Sequence, residues 1–479
     1  IVLRRRSSSA NALALAAVAV LAWHPPSILD AGFWLSFAAV ATILVTLQWT
    51  RGRPAWVAAI TVQLALTLAL WPVLLGAGLP ASGISPLVNL VLVPLFGVLI
   101  VPWSLLGGLA TLLVPDGVAT LLWPLGQLLD LVAAGLAVAA HWSPSLPGLG
   151  PAAPWLLVPA VCLLLLPPGL PLRWAGVPLL ALPWLPRAPL VEPGEFQLHL
   201  LDVGQGLSAV VETHRHVLVF DTGPIYPSGF STAEAVVLPF LARRGHERVS
   251  HLMISHGDKD HGGGLDVLRA RIGIDRVSGG EPGRIGLGDA ACAAGQRWHW
   301  DGVDFTVLYP DPASPLSGNN ASCVLRVENA AGALLLTGDI EAAVERRLIR
   351  NQPDALGARV VVAPHHGSRS SSTAEFIAAT SPDRVLFAAG WANPYGFPDP
   401  DVVARWIDGG ALSHETAQEG TLSFRFANDG RLHGPTGYRV RAQRFWSAVP
   451  ETTITGTADR GLAVSSRHQA GPARRSKGG

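Results

Sequence analysis

The sequence predicts a polytopic α-helical membrane domain followed by an α/β domain, from its composition and from the distribution of its charges. Of the 479 residues, 49% are hydrophobic and 14% are charged, and the mean hydropathy is +0.36. Soluble domains carry about 25% charged residues. Residues 7–172 contain only five Asp, Glu, Lys or Arg residues, whereas charge is frequent from about residue 191 onward. This pattern argues against a purely soluble enzyme and against a disordered chain.

The first half contains seven apolar segments separated by Pro, Gly or charged residues. A helix needs about 20 apolar residues to cross the hydrocarbon core of a bilayer. The segments lie at roughly 10–23, 31–49, 55–78, 86–113, 118–142, 153–167 and 173–186. The first and the last two are short, so they also fit re-entrant or interfacial helices. We therefore predict a transmembrane domain over residues 1–187 with six or seven apolar segments.

Polar side chains interrupt these apolar segments, among them Gln63, Asn89, Gln127 and Asp130, and we take Gln63, Asn89 and Asp130 as the candidates. Polar groups inside a bilayer need partners and often mark a pathway, so the three are candidates for lining a channel. The alternative is that they only form hydrogen bonds between helices.

Positive charge predicts the orientation of the first half. Short loops rich in Lys or Arg stay in the cytoplasm, which places the Arg4–Arg6 run inside and Arg51 and Arg53 inside again. Alternation of the segments then places the second half on the outer side of the membrane, provided that the segment 173–186 crosses. If that segment does not cross, the second half lies in the cytoplasm.

The sequence of the second half predicts alternating strands and helices. Its most specific motif follows the predicted strand 251–254. His256, Asp258, Asp260 and His261 fall within six residues directly after this strand. Imidazole and carboxylate groups on one compact loop suit Zn²⁺, Mn²⁺ or a similar ion. The alternative is a charged surface turn, because Gly, Asp and Lys favour turns.

Two later strands deliver groups of the same kind. The predicted strand 333–337 ends at Asp339, and the predicted strand 359–363 ends at His365 and His366. A carboxylate shared by two metal ions, with a histidine on the far side, activates water and stabilises both oxygens of a phosphoryl displacement. The ordered set therefore predicts a hydrolytic metal site.

These motifs resemble those of the metallo-β-lactamase fold, an αββα sandwich, which we therefore expect over residues 191–447. Most members of that fold read His-x-His-x-Asp-His at the first motif, and Asp258 stands here in place of the second His. That variant is similar to the ComEC family of competence proteins. Further segments similar to this family are Leu201–Gly206, Phe220–Gly223, His365–Ser368, Asp30–Phe37 and Ser85–Leu90.

Two departures from the resemblance matter. Asn319-Asn320-Ala321-Ser322 stands where the usual fold has a third-motif His, so one metal subsite is expected to be weak. The family's usual extracytoplasmic N-terminal region is not found before Ile1, so we expect an N-terminally truncated member.

The resemblance implies DNA uptake in natural transformation. The first half would be an inner-membrane channel for single-stranded DNA, and the second half a nuclease that degrades the other strand. The orientation argued above would place that nuclease in the periplasm. The implied partners are DNA, the lipid bilayer and other competence proteins. The implied cofactor is one or two divalent ions, Mn or Zn, with His256, Asp258, Asp260, His261, Asp339 and His365 as ligands.

Within that site we expect Asp260, His261 and Asp339 to be catalytic. We expect supporting or phosphate-binding roles for Asp221, Asn320, Ser322, His366 and Ser368, with plain turn capping as the alternative for Asn320, Ser322 and Ser368. Two other functions remain open. One is a membrane-anchored hydrolase of another phosphodiester or ester without transport, and the other is a DNA channel whose soluble domain binds DNA without cutting it.

Two further expectations concern the cysteines and the C-terminus. Cys292 and Cys323 are able to pair if the domain is exported, although their spacing does not show it, and Cys162 lies in an apolar run. Residues 448–479 are predicted to form a disordered tail.

Overall fold

The computed structural model describes residues 8–76, 84–113, 118–141, 153–167, 169–182, 190–288, 290–313 and 317–442. The first half is helical throughout these ranges. Its helices are α1 Ser9–Trp23, α2 Ala31–Trp49, α3 Ala55–Gly76, α4 Ser85–Pro94, α5 Val101–Leu113, α6 Val118–His141, α7 Ala153–Leu164 and α8 Gly176–Ala181. A π-helical turn, Leu95–Ile100, joins α4 to α5.

Four of these helical stretches are long and apolar enough to cross a membrane, which confirms the predicted helical membrane region. They are Ala31–Trp49, Ala55–Gly76, Ser85–Leu112 and Leu122–Ala139, while Ser9–Trp23 and Trp155–Leu164 are shorter apolar helices. The hydroxyls of α2 return their hydrogen bonds to the same helix: that of Thr46, for example, donates to the carbonyl of Thr42 at 2.8 Å. Such bonding leaves fewer polar groups without a partner in hydrocarbon.

The short helices α7 and α8 pack against each other where Gly176 meets α7. A Cβ at Gly176 would lie 2.6 Å from the carbonyl oxygen of Ala160, so only glycine permits this approach. Between these helices, the guanidinium of Arg173 lies 5.7 Å from the ring centroid of Trp49, at the end of α2. Arg173 therefore lies at the same end of the helical region as Arg51.

The second half is a four-layer αββα sandwich, as the sequence predicted. Its strands are β1 Phe196–Leu200, β2 Ala209–Glu212, β3 Val217–Phe220, β4 Arg248–Val249, β5 His251–Ile254, β6 Gly273–Ile274, β7 Val277–Gly279, β8 Arg297–Trp300, β9 Val303–Tyr309, β10 Val324–Asn329, β11 Gly332–Leu336, β12 Val360–Val362, β13 Arg384–Phe387, β14 Leu412–Glu415, β15 Leu422–Phe426 and β16 Leu432–Gly437. Its helices are α9 Leu238–Arg244, α10 Lys259–Gly262, α11 Leu265–Arg271, α12 Ala342–Asn351, α13 Ala374–Thr380, α14 Pro400–Asp408, α15 Thr416–Glu419 and α16 Tyr438–Arg441.

Two seven-stranded sheets form the middle layers. Their orders are β16-β15-β1-β2-β3-β5-β7 and β14-β13-β12-β11-β10-β9-β8. Apolar side chains of both sheets, such as Leu198, Phe220, Phe305 and Leu334, fill the space between them. The outer layers bury the apolar faces of α9 and α11 on the first sheet and of α12, α13 and α14 on the second.

Parallel pairing gathers the important strand ends at one edge of the sandwich. In the first sheet β3, β5 and β7 run parallel, and in the second β11 to β14 run parallel. Their carboxyl ends therefore point the same way, as they do at the ligand sites of open α/β sheets. The residues that follow β3, β5, β11, β12 and β13 meet there.

A buried disulfide joins Cys292 to Cys323, next to this edge, while Cys162 is free and exposed. Cys323 follows Ser322 directly and precedes β10. The domain limits 1–187 and 191–447 stay predictions, and both the predicted tail 448–479 and the Arg4–Arg6 run lie outside the described residues.

Candidate metal centre

His261 is held in place by an aspartate from the neighbouring strand. It lies on the short helix α10 and is fully buried. Its Nδ1 lies 2.8 Å from Oδ2 of Asp221, which follows β3, and the other oxygen of Asp221 accepts the backbone N–H of Ser255 at 2.6 Å. A carboxylate accepts at this contact, so Nδ1 carries the hydrogen and Nε2 is the nitrogen left to face the cluster, the usual arrangement behind a ligating histidine.

His366 is oriented in the same way from the other sheet. It follows β12 in a turn where its φ is 54°, and its Nδ1 donates to the carbonyl of Ala388 at 2.8 Å. Asp339 follows β11, and its backbone N–H donates to the hydroxyl of Ser322 at 3.0 Å. Both side chains therefore approach His261 from the second sheet.

Four ligand atoms converge at this point. One atom each of Asp260, His261, Asp339 and His366 lies within 4.8 Å of the others. Nε2 of His261 lies 3.2 Å from Oδ2 of Asp339 and 3.2 Å from Nε2 of His366, and the latter lies 3.5 Å from Oδ2 of Asp260. Two imidazole lone pairs and two carboxylates facing one another need a cation or a proton between them, so these residues fit a divalent metal ion.

The charges of the cluster support this interpretation. Burial alone would lower the pKa of His261, but the carboxylates of Asp339 and Asp221 raise it well above its usual value. Burial alone would raise the pKa of Asp339, yet His261 and His366 hold it well below its usual range. Burial also opposes ionisation of Asp260, but its hydrogen bond with His366 and the charge of His261 lower its pKa to about 2. The carboxylates therefore stay ionised and attract positive charge.

A second group of ligand atoms adjoins the first. His256 is fully buried, and within the described part of the chain its Nε2 and Oδ1 of Asp339 make no hydrogen bond. Burial and the neighbouring His261 lower the pKa of His256, so its Nε2 offers a lone pair. Oδ2 of Asp258 lies 3.4 Å from this nitrogen. Orphaned buried atoms are rare in proteins, and these fit a second cation.

Asp258 also contacts a cation of the chain itself. Its Oδ1 accepts a hydrogen bond from Nη2 of Arg284 at 2.7 Å. Arg284 is held in turn by Glu281, which also accepts the backbone N–H groups of Gly257 and Gly318 at 3.0 Å. Sequence reasoning missed Glu281 and Arg284, because no motif signals a contact between loops that lie far apart in the chain.

The two adjacent histidines take the opposite places from those expected. His366, expected to support the site, contributes to the four-atom cluster, whereas His365, expected as a ligand, lies at its rim with Nε2 3.9 Å from Oδ2 of Asp339. Nδ1 of His365 lies 3.0 Å from the hydroxyl of Ser370, and its Nε2 lies 3.3 Å from the amide nitrogen of Asn319. Both histidines have positive φ, so the tight turn sends neighbouring side chains in different directions.

The expected supporting residues divide into two groups. Ser322 contacts the cluster, since its hydroxyl accepts the N–H of Asp339 and lies 3.3 Å from Nδ1 of His256. Asn320 instead binds Glu341 through two hydrogen bonds, and the hydroxyl of Ser368 lies 3.2 Å from that of Ser370. The capping alternative therefore describes Asn320 and Ser368 better than phosphate contact does.

The three channel candidates lie on three different helices. Asn89 on α4 and Asp130 on α6 are exposed on the helical region, and Gln63 on α3 is half-buried. Among the described residues no hydrogen bond joins any two of these side chains.

A glycine loop closes the cluster on the side of Asp260. The segment Leu201–Gly206 brings Gly206, with φ of +140°, so close that an added Cβ would lie 2.4 Å from the carbonyl oxygen of Asp260. Only glycine readily adopts this backbone conformation. The motif that resembled the competence family therefore has a geometric role in the cluster.

Comparison with known proteins matches both halves. The Competence protein family matches residues 1–174, and the Metallo-beta-lactamase superfamily matches residues 201–391. The chain is 35% identical to "Competence protein ComA" of Neisseria gonorrhoeae over 91% of its own length, and 30% identical to YcaI of Escherichia coli over 86%. It is also 33% identical to "Recombination protein 2" of Haemophilus influenzae over 49% of its length.

The chain spans only part of these relatives, 61%, 55% and 29% of their respective lengths. Both matched regions nevertheless agree with the described fold, because the first coincides with the apolar helices and the second with the αββα sandwich. The chain therefore carries a region that matches the Competence protein family and a second region that matches the metallo-β-lactamase superfamily, and over most of its length it is similar to competence proteins.

Proposed function

We propose that the chain acts in DNA uptake during natural transformation and that its second half is a metal-dependent hydrolase of DNA phosphodiester bonds. The observation that carries this proposal is the largely buried cluster of Asp260, His261, Asp339 and His366, in a chain whose described residues include four candidate membrane spans. The first half would pass one strand, and the second half would degrade the other.

Each residue of the cluster has a stated task in the proposal. Asp260, His261, Asp339 and His366 would hold a divalent ion, Mn or Zn, and His256 and Asp258 would serve a second ion beside it. Such ions supply an activated water and neutralise charge on the reacting phosphate. Asp221 fixes the orientation of His261, and Ser322 fixes that of Asp339.

His365 lies on the more open side of the cluster and completes the proposed site. Its ring is held between the hydroxyl of Ser370 and the amide nitrogen of Asn319, which donates to Nε2 of His365. The amide of Asn319 is thus a hydrogen-bond donor fixed beside the cluster, and donors fixed before the reaction stabilise developing charge without reorganisation.

Hydrolysis is tested on the full chain in detergent micelles with Mn²⁺ or Zn²⁺ and end-labelled DNA. Release of labelled fragments, blocked by a chelator, is the expected result. DNA that is retained but never cut favours the channel with a non-cutting domain. Cleavage of a small phosphodiester or ester with no cleavage of DNA favours the membrane-anchored hydrolase.

We further propose that the first half spans the inner membrane and that the second half faces the periplasm. Arg173 shares its end of the helical region with Arg51, as the alternation requires for an inside loop. The proposal also needs one further crossing between Arg173 and β1, a stretch in which the described helix α8 spans only Gly176–Ala181. The disulfide between Cys292 and Cys323 supports the outer side, because disulfides persist in oxidising compartments and are rare in the cytosol.

Fusions after residue 450 test this orientation. An alkaline phosphatase fusion is expected to be active there, and a fluorescent protein fusion at the same point to be dark. The reverse pair of results would place the second half in the cytoplasm. A fusion within residues 114–117, an inside loop by the same alternation, is the matched control.

A further inference from the structure

Two strongly exposed aromatic side chains lie on the loop that follows β13. Trp391 is 76% exposed and Tyr395 is 67% exposed. Their loop, residues 390–399, begins at the sheet edge that carries the metal cluster. Large exposed aromatic groups that cluster together mark a site of interaction.

This loop is braced rather than loose. The amide nitrogen of Asn393 donates to the carbonyls of Gly390 at 3.0 Å and Phe397 at 2.6 Å, and its oxygen accepts the N–H groups of Tyr395 and Phe397. The rings of Tyr395 and Phe397 stack with centroids 5.6 Å apart and planes 17° apart. The aromatic faces are therefore presented in a fixed arrangement.

The braced loop adjoins the cluster directly. The ring of Phe397 lies 5.9 Å from the ring of His365. At its other end, Gly390 packs so tightly on the glycine loop that an added Cβ would lie 2.6 Å from the backbone nitrogen of Gln205. The neighbouring Gly206 in turn presses on Asp260, so the loop contacts the surroundings of the site from two directions.

A second aromatic pair borders the same glycine loop. Tyr226 and Phe230 are exposed, and their rings lie 5.8 Å apart. The hydroxyl of Tyr226 would lie 3.4 Å from a Cβ added at Gly204. We refer to Tyr226, Phe230, Trp391, Tyr395 and Phe397 together as the aromatic collar.

The collar fits unpaired bases better than other apolar partners. Every base has a π-face, and stacking on aromatic side chains is how proteins bind single strands without reading their sequence. In a duplex those faces are covered by the neighbouring base pairs. A bilayer surface also accepts Trp and Tyr, but binding to a bilayer does not explain why stacked rings lie beside the candidate metal cluster.

We propose that the aromatic collar stacks the unpaired bases of a single-stranded nucleic acid and so directs the hydrolytic site to single strands. The inference rests on the proposed hydrolase function and names its substrate class. Bases held on the collar would place the adjoining backbone phosphates beside His365, at the rim of the cluster, which the ring of Phe397 approaches.

Binding measurements with and without bases test the inference. The full chain in detergent micelles is titrated with fluorescent oligodeoxythymidine of about 20 nucleotides, longer than the ~4–16 nucleotides that one single-strand-binding fold covers. An abasic strand of equal length and a duplex of equal length are the comparison probes. EDTA keeps the strands intact, and anisotropy reports binding. We expect the thymidine strand to bind more tightly than either comparison probe.

Variants then assign that preference to the collar. The double variant Trp391→Ala/Tyr395→Ala is expected to weaken binding of the thymidine strand by about tenfold or more and to leave binding of the abasic strand unchanged. Trp391→Phe keeps a ring and should retain the preference, whereas Trp391→Leu should lose it. Leu412→Ala, an exposed position at the opposite end of the β13–β14 pair, is the matched control and should change nothing.

The outcomes separate this inference from the function on which it rests. The inference that the collar stacks unpaired bases would be overturned if the wild type bound thymidine and abasic strands equally well or bound duplex more tightly. Equal loss for both strands in the double variant means a structural role and also overturns it. Failure of the chain to cut any strand after Mn²⁺ is added contradicts the proposed hydrolase, while the binding preference decides the collar by itself.

Discussion

The two halves of the molecule differ in the polar groups that they bury. In the helical half the side chains are mainly apolar, and buried polar groups such as Thr46 serve the backbone of their own helix. In the sandwich the interior holds complete ionisable side chains, among them Asp221, His256, His261 and Asp339. A charged side chain is costly inside a bilayer and occurs there mainly where it has a function. In the sandwich, ionisable side chains lie between strands whose residues supply hydrogen-bond partners.

This difference suggests that the proposed hydrolysis and the proposed passage of DNA take place in different halves of the chain. Reaction chemistry requires charges fixed within a few ångströms, and the sandwich provides them at one edge. The proposed passage would require a path through the helices, where Asn89 and Asp130 are exposed and no hydrogen bond among the described residues joins them. Substitutions in one half should therefore leave the function of the other half intact, and the following changes test that separation.

The largest effect is expected from the metal ligands themselves. Asp260→Ala and His261→Ala should each reduce DNA hydrolysis to background and lower the bound metal measured by mass spectrometry, because each removes a member of the four-atom cluster. Lys259→Ala, an exposed neighbour, should keep most of both. Equal loss in all three variants, or loss in none, would contradict the assignment of the site.

A smaller effect is expected from the residue behind His261. Asp221→Asn keeps the shape but removes the charge that fixes Nδ1, so metal affinity should fall by about 10–100-fold. Metal titration of the purified chain measures it. Asp304→Asn, which breaks an ion pair between the exposed Asp304 and His299, is the control. The role of Asp221 would be refuted by equal metal affinity in both variants.

A third substitution tests whether every buried charge of the sandwich belongs to the chemistry. Glu212 lies at the far end of β2, where burial alone would raise its pKa, but His199, His246 and Arg244 hold it well below the usual range. Glu212→Gln should cost about 3 kcal/mol and lower the melting temperature by roughly 6–12 °C, because Arg244 loses its counter-charge. Hydrolysis below the melting temperature should be unchanged.

The pH dependence of that difference follows from the sign of the shift. A carboxylate with a depressed pKa stabilises the fold above its unfolded pKa of about 4.3 and loses that contribution as pH falls toward the folded value. The gap in melting temperature between wild type and Glu212→Gln should therefore be full at pH 7 and narrow below about pH 4. A gap that widens in acid would assign the stabilisation to another group.

The smallest change is expected from a single residue of the helical half. Asn89→Leu should lower transformation frequency several-fold in a competent host that lacks its own homologue, because it removes a polar group from the path, and hydrolysis should be unaffected. Val91→Leu, an exposed apolar position on the same helix, is the control. Normal transformation with Asn89→Leu would mean that this side chain only packs.

The strands were easiest to predict from the sequence where an apolar run ends in a candidate metal ligand. Strand 251–254 before His256 and the strand before Asp339 were readable because burial on both faces leaves an unmistakable apolar stretch. Strands such as β8, Arg297–Trp300, were missed, since a half-exposed edge strand alternates polar and aromatic residues over only four positions. The sequence likewise could not tell which of His365 and His366 faces inward, because that choice depends on the φ angles of one turn.

Gly206 shows how a residue that binds nothing can restrict the evolution of a site. Any side chain at this position would meet the carbonyl of Asp260, and the backbone conformation itself disfavours every residue but glycine. Lys259, one residue from a ligand, points into solvent and meets no such limit. Substitutions should therefore be tolerated at Lys259 but not at Gly206. Distance from the candidate metal site is thus a poor guide to which positions are free to vary.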